Sequence, residues 1–385
     1  MKVVTIFCDD FWMKNHLLKT WERMADEVFN FFYPGMAGWH HGNWLRTRQI
    51  EGKRLLTWLD QVVAKHSIDL IFCLGYDDFF TPDLCQKIKQ HNIPLVNYHV
   101  DSDTQWYRCL RSAPYFDLIG VAYKDYFNKL AALTEVVYLP MAANGQEYCP
   151  QRVEKVFDVM FVGGYTVERE RVMSAVTDIT SNVIVYGQRW DKSIPVKDRV
   201  TIKYPVEKYI NDFAYYLWPR LKTEGASRIL KRRQTNANLN FTPYSGQIGG
   251  YLSNDNFVTA VNQAKIVIGI NQRVGSIGSK GGYVSSRLRD FEIPACGAFY
   301  MAQRYPELDI YYQEGHEIEM WSTLDELKNK LDYYLCNEDK IAEISKQARK
   351  KVLREHTWEH RFSLILKRLG ITSSMNNGLL AIAHG

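Results

Sequence analysis

Short apolar runs alternate with stretches of helical spacing along the first 145 residues. "KVVTIFC" (2–8) reads as a buried strand, and "FWMKNHLLKTWERMADEVF" (11–29) carries apolar positions three and four apart, as a helix does. "RQIEGKRLLTWLDQVVAKH" predicts a second amphipathic helix. "IDLIFCLG" is a near-continuous apolar strand, the kind buried on both faces of a parallel sheet. In "TPDLCQKIKQHN", Thr81 stands where an N-cap belongs and Pro82 at the first helical position. "IPLVNYHVD" and "FDLIGVA" supply two more strands. This alternation predicts an open, doubly wound α/β sheet.

"VVYLPMAANGQEYCPQ" (136–151) then reads as an irregular crossing segment, after which the rhythm restarts. "FDVMFVGGY", "NVIVYG" and "KIVIGIN" are strands; "ERERVMSAVTDI" and "NDNFVTAVNQA" are helices. A chain of 385 residues is too long for one small core. The expected architecture is two Rossmann-like domains facing each other across a cleft, at 1–145 and 146–365, followed by a tail at 366–385. An insertion at about 191–250 interrupts the second domain with the basic, aromatic run "FAYYLWPRLKTEGASRILKRRQ". That run reads either as a solvated face or as a surface for an acceptor.

Hydrophobic residues at 46% and charged ones at 24% describe an ordinary globular protein and exclude a disordered or membrane-embedded one. No apolar stretch approaches the ~20 residues that span a bilayer, so no integral membrane association is expected. A formal charge of +5 permits an anionic substrate. Seven cysteines (8, 73, 85, 109, 149, 296 and 336) are scattered without metal spacing, which predicts reduced, buried thiols in the cytoplasm. His40-His41 lacks any carboxylate or cysteine at ligand spacing and reads as a loop without metal.

Candidate chemistry gathers at the strand ends of the second half. In "FVGGYTVERER", Gly163 and Gly164 let a ligand approach the backbone, and Arg169 or Arg171 can supply positive charge. The GxGxxG fingerprint of dehydrogenases is missing. Gly187 ends the next strand, where Trp190 is either a stacking platform or core. Asn271 ends "KIVIGIN", and Lys280 lies in a glycine-rich loop without Walker A spacing. In "SRLRDFEIPACGAFY", Ser286 or Ser285 can cap a helix, Arg289 offers charge and Glu292 can accept ribose hydroxyls. Pro294 should shorten that helix and Gly297 close it. In the first half, Asp9 and Asp10 follow one strand; His99, Asp101 and Asp103 follow another. Asp101, then Asp9, are the candidate bases for an acceptor hydroxyl; helix capping is the plainer role for all of them.

From Arg289 onward the chain resembles the C-terminal half of GT-B glycosyltransferases, and in particular the CgeB-like branch, distantly similar to glycosyltransferase family 4. The matching pattern is Arg289, Phe291-Glu292, Cys296-Gly297-Ala298, Glu314-Gly315, Glu326-Leu327, Tyr333-Tyr334-Leu335, His356-Thr357-Trp358 and His360-Arg361. With weaker matches upstream it covers most of 68–190 and 250–365. The resemblance implies a metal-independent hexosyltransferase with no cofactor beyond its co-substrate, a nucleotide-diphospho-sugar such as a UDP-sugar. It implies a donor held by the C-terminal domain and an acceptor held by the N-terminal one, whether glycan, protein or modified DNA. Glu292 would bind ribose, while Arg289 with Arg169 or Arg171 would neutralise the diphosphate. Family 4 enzymes often carry a second glutamate seven residues earlier; Ser285 stands there. That departure keeps open an alternative, a catalytically inactive GT-B-like binding or assembly protein.

Overall fold

The computed structural model describes residues 1–34, 44–101, 106–124, 127–191, 242–271 and 286–372, with isolated positions at 213, 217, 218 and 221. The expectations placed on His40-His41, Asp103, most of the 191–250 insertion with its basic run, Lys280, Ser285 and most of the tail lie outside the described residues.

The first unit comprises residues 1–141, 200–226 and the segment from Trp358 onward. β1 (Lys2–Cys8) leads through a π-helical turn at Met13–Leu18 into α1 (Lys19–Met24) and β2 (Glu27–Tyr33). There follow α2 (Trp44–Val63), β3 (Leu70–Cys73), α3 (Pro82–Lys89), β4 (Leu95–His99), β5 (Leu118–Val121), α4 (Phe127–Ala131) and β6 (Val136–Tyr138). The strands form one parallel sheet in the order β2-β1-β3-β4-β5-β6. α3 starts as expected, Thr81 accepting the Leu84 N–H at 3.2 Å.

Two segments differ from the expectation. The helix foreseen over 11–29 stops at Met24, because "EVFNFFY" pairs in parallel with all of β1, burying Phe31 and Tyr33 in the core. The segment expected to be irregular from Val136 begins as β6, which extends the sheet beside β5.

The second unit comprises residues 142–199 and 227–357. Its elements are β7 (Phe157–Val162), α5 (Val167–Thr177), β8 (Val183–Tyr186), β9 (Gln247–Ile248), α6 (Asn254–Asn262), β10 (Ala264–Gly269), α7 (Arg289–Ala295) and β11 (Phe299–Gln303). α8 (Leu308–Tyr311), β12 (Glu319–Trp321), α9 (Leu324–Leu335) and α10 (Glu338–Glu355) complete it. The order β12-β11-β10-β7-β8-β9, all parallel, is the Rossmann order read from the far edge. Val159, Phe161, Ile266, Ile268, Phe299 and Met301 fill its core, and Trp190 is buried with them. Trp190 is therefore core, not an exposed platform.

α11 (Trp358–Leu369) returns the chain to the first unit. Phe362 stacks on Trp21 at 4.2 Å between ring centres, and the Trp358 indole N–H donates to His16 Nδ1 at 3.1 Å. Arg361 donates to the Pro140 carbonyl at 2.9 Å, and Glu359 pairs with Arg23. Five of the seven cysteines are buried, as expected, but Cys149 is half-buried and Cys336 exposed.

Candidate functional site

Ligands of open parallel sheets lie beyond the carboxyl ends of the strands, where the strand order reverses. In the second unit that reversal falls between β7 and β10. Gly163 and Gly164 follow β7, Gly187 follows β8 and Asn271 follows β10, so the predicted residues converge on this edge. The three glycines form one packed turn. Gly163 N–H donates to the Tyr186 carbonyl and Tyr165 N–H to that of Gln188, both at 2.8 Å. Gly187 has φ of +149°, and a Cβ there would lie 2.1 Å from the Gly163 carbonyl oxygen, so only glycine fits. The Trp190 indole N–H donates to that same oxygen at 2.7 Å and locks the turn from the core side.

Arg169 stands in the first turn of α5, capped by Thr166. Its guanidinium folds back and donates to the Gly164 carbonyl at 2.6 Å, while Nε is buried without a partner. Burial, and then the charge of Arg287, pull its pKa down to about 10. Arg287 was not singled out from the sequence. It donates from one terminal nitrogen to the Asn271 carbonyl at 3.3 Å, and its Nε is also buried and unpartnered. Neither arginine has a carboxylate partner among the described residues. Arg169 at the turn after β7 and Arg287 at the end of β10 thus put two guanidiniums that repel one another at the same strand ends, where an anion would be favoured. Arg171, the alternative to Arg169, instead pairs with Glu168 at 3.5 Å on the exposed side of α5.

A buried acid holds Arg287 in place. The Asp290 carboxylate accepts from Arg287 N–H and Tyr305 at 2.7 Å, from Tyr300 at 2.8 Å and from the Asn271 amide at 3.1 Å. Its own carbonyl accepts from Tyr312 at 2.7 Å. Burial raises the Asp290 pKa, and these bonds oppose the rise. Asn271 thus spends its amide on Asp290 rather than facing a ligand. Ser286 is buried beside Tyr305 and does not cap α7, whose N-cap residue is Leu288; Asp290 takes the Arg287 N–H instead. Gly297 does end α7, at φ of +68° just past Pro294.

Arg289 and Glu292 form an ion pair with each other. The guanidinium lies over the Phe257 ring at 4.2 Å with its side chain 37% exposed, whereas Glu292 is 1% exposed. The Tyr148 hydroxyl also bonds the carboxylate; burial and then Glu292 push the phenol up. A diol on Glu292 would share the carboxylate with Arg289 and Tyr148.

In the first unit, Asp9 is exposed and ion-paired with Lys14. Asp101 is half-buried just past β4 and accepts from the Tyr76 hydroxyl at 3.3 Å. His99 is fully buried with neither ring nitrogen bonded; burial, then Arg108, pull its pKa to about 3, so it stays neutral. The loop after β3 buries two acids that no motif in the sequence marks. Asp77 is bound by the Ser112 hydroxyl at 2.7 Å and by the backbone of Arg111 and Ser112. Asp78 faces Arg108 at 3.5 Å, and that guanidinium lies 3.9 Å above the Tyr76 ring.

Burial raises Asp78 to about 7, so the folded chain binds its proton more tightly than the unfolded chain does. Its contribution to stability must fall as pH rises from about 4 to about 7. Urea unfolding of Asp78→Asn across that window should show a flatter decline than the parent; an unchanged slope would refute the assignment.

The fold agrees with what the chain is similar to. A sucrose-phosphate synthase from Thermosynechococcus elongatus matches with a TM-score of 0.57 at 10% identity, over 96% of this chain and 99% of that one. HepE of Anabaena, solved with UDP and glucose, matches at 0.53 and 11% identity, over 96% and 99%. A UDP-forming α,α-trehalose-phosphate synthase from Burkholderia xenovorans matches at 0.53 and 11%, over 96% and 100%. These likenesses establish a GT-B fold. No curated protein matches the chain. Residues 169–367, from the first of the paired arginines through α7 and on into α11, match the family described as glycosyl transferase-like. With more than half of the 385 residues so matched, the chain belongs to that family of glycosyltransferases.

Proposed function

We propose that the protein transfers a hexose from a UDP-sugar to an acceptor hydroxyl, with the donor diphosphate held by the second unit. The observation that carries this reading is the placement of Arg169 on the Gly164 carbonyl and Arg287 on the Asn271 carbonyl, at the strand reversal and without a carboxylate partner among the described residues. Charge grows on the departing diphosphate during transfer, and fixed guanidiniums stabilise it more in the transition state than in the ground state. Uridine is the proposed base because HepE, of the same fold, has been solved with UDP-glucose. Glu292 is assigned the ribose hydroxyls, its carboxylate shared with Arg289 and Tyr148. Asp101 is assigned the acceptor proton in the first unit, provided the reaction inverts configuration. The order of motifs from Arg289 to Arg361 supports a place in the CgeB-like branch.

The acceptor is proposed to be a glycan, a protein or modified DNA. DNA binding through the basic run would weaken steeply with added salt; binding to duplex DNA that ignores salt would remove that acceptor.

A thermal-shift panel of nucleosides, mono- and diphosphates and nucleotide sugars tests the donor. A diphosphate at 100 times its Kd should stabilise by roughly 2.7 kcal/mol. If the monophosphate or nucleoside protects equally well, the paired arginines are not a diphosphate site. With arginines neutralising the leaving group, transfer should persist in EDTA. Among the described residues no group of three or more His, Cys, Asp or Glu is placed to hold a metal ion. Donor protection without transfer or hydrolysis would instead favour the binding-only alternative.

A further inference from the structure

The second unit carries another concavity, at the opposite edge of its sheet. Lys155 lies two residues before β7, Lys265 is the second residue of β10, and Phe299 opens β11; these mark the amino ends of three adjacent strands. About 20 Å of strand separates them from the Gly163-Gly164 turn. The cavity measures about 590 Å³, within the usual range for small-molecule sites.

Its composition is sharply divided. Pro150, Gly297, Phe299 and, from one face of α10, Ile341, Ala342 and Leu353 supply apolar surface. Lys155, Lys265, Lys346, Arg349 and Lys350 supply five cations against one carboxylate, Glu338. Lys265 already holds Glu338 at 3.0 Å, and Asp158 at 3.3 Å from outside the cavity. The other four cations have no carboxylate partner among the described residues. Lys155 donates only to the Ala264 carbonyl, at 2.8 Å, and burial lowers its pKa. Arg349 donates to the carbonyls of Tyr148 and Ala295. Lys346 and Lys350 lie one turn apart on α10, a spacing at which like charges repel. On the same helix Lys351 meets Glu355 at 2.6 Å, a neutralisation that Lys346 and Lys350 lack among the described residues.

We infer that this cavity binds an anionic amphiphile: a short apolar body seated on Phe299, Ile341 and Leu353, bearing one phosphate or carboxylate held by the Lys346–Lys350 row and Lys155. Free amphiphiles and lipid headgroups share this chemistry.

Isothermal titration of the full chain with monomeric decyl phosphate should give one site, bound at least tenfold tighter than inorganic phosphate or decanol. Lys346→Glu with Lys350→Glu should weaken it at least tenfold, and so should Ala342→Trp, which fills the cavity. Both variants should keep the parent's melting temperature, which shows that they fold. Equal affinity for decanol, or wild-type affinity in both variants, would overturn the inference. Sedimentation with phosphatidylglycerol vesicles, abolished by the same charge reversal, would assign the ligand to a membrane lipid. Decyl phosphate binding without vesicle binding would assign it to a free amphiphile.

Discussion

Replacing Arg287 with alanine should slow sugar transfer roughly a hundred- to a thousandfold, the usual cost of removing one preorganised donor from a developing anion. The effect should be large because the guanidinium is positioned before any ligand arrives. Its backbone N–H is fixed by Asp290 and its side chain by the Asn271 carbonyl. It stands close enough to Arg169 to depress that residue's pKa. Arg169→Ala should behave similarly, while Arg287→Lys should recover only part of the loss, since an ammonium keeps the charge but not the planar fork. The contrast is Arg171→Ala, which should stay within about twofold of the parent, because that side chain faces outward beside Glu168. Initial rates with a UDP-sugar decide the matter. Wild-type turnover in Arg287→Ala, or equal damage from Arg171→Ala, would show that the diphosphate sits elsewhere.

Asp290→Ala should cost about 3–5 kcal/mol of stability, the range for removing one member of a buried charged network. Two tyrosine hydroxyls, an amide and a backbone N–H would lose their acceptor in a region with no water access. The melting temperature should fall by on the order of 10 °C. Asp290→Asn keeps the shape and one carbonyl acceptor and should lose markedly less. Because the same carboxylate orders Arg287 and Asn271, any folded Asp290→Ala protein should also lose UDP binding. A variant as stable as the parent would mean that the network is replaceable.

Much of this was legible in the sequence, for reasons particular residues make plain. Gly187 could be recognised because it ends an apolar strand, where parallel sheets place ligands, and Thr81-Pro82 because capping is local chemistry. β2 was hidden because the apolar residues of "EVFNFFY" suit either period, and only pairing with β1 selects a strand. β6 is three residues long, too short to show a pattern, with Pro140 two residues beyond it. Arg287 could not be distinguished from Arg289 by spacing alone. Which of them turns toward the sheet depends on where α7 begins, and that is decided by Tyr300 and Tyr305, which lie beyond the helix in sequence and meet Asp290 only in the fold. Asp77 and Asp78 likewise read as loop acids until Ser112 and Arg108 are brought to them.

The path of α11 has a practical corollary for anyone dissecting the chain. A polypeptide cut at residue 141 would leave the flat face of Trp21 and the Arg361-binding carbonyl of Pro140 bare, so it should be sticky and poorly soluble. An amino-terminal lobe that carries residues 358–372 spliced after residue 141 should instead keep both the ring stack and that hydrogen bond.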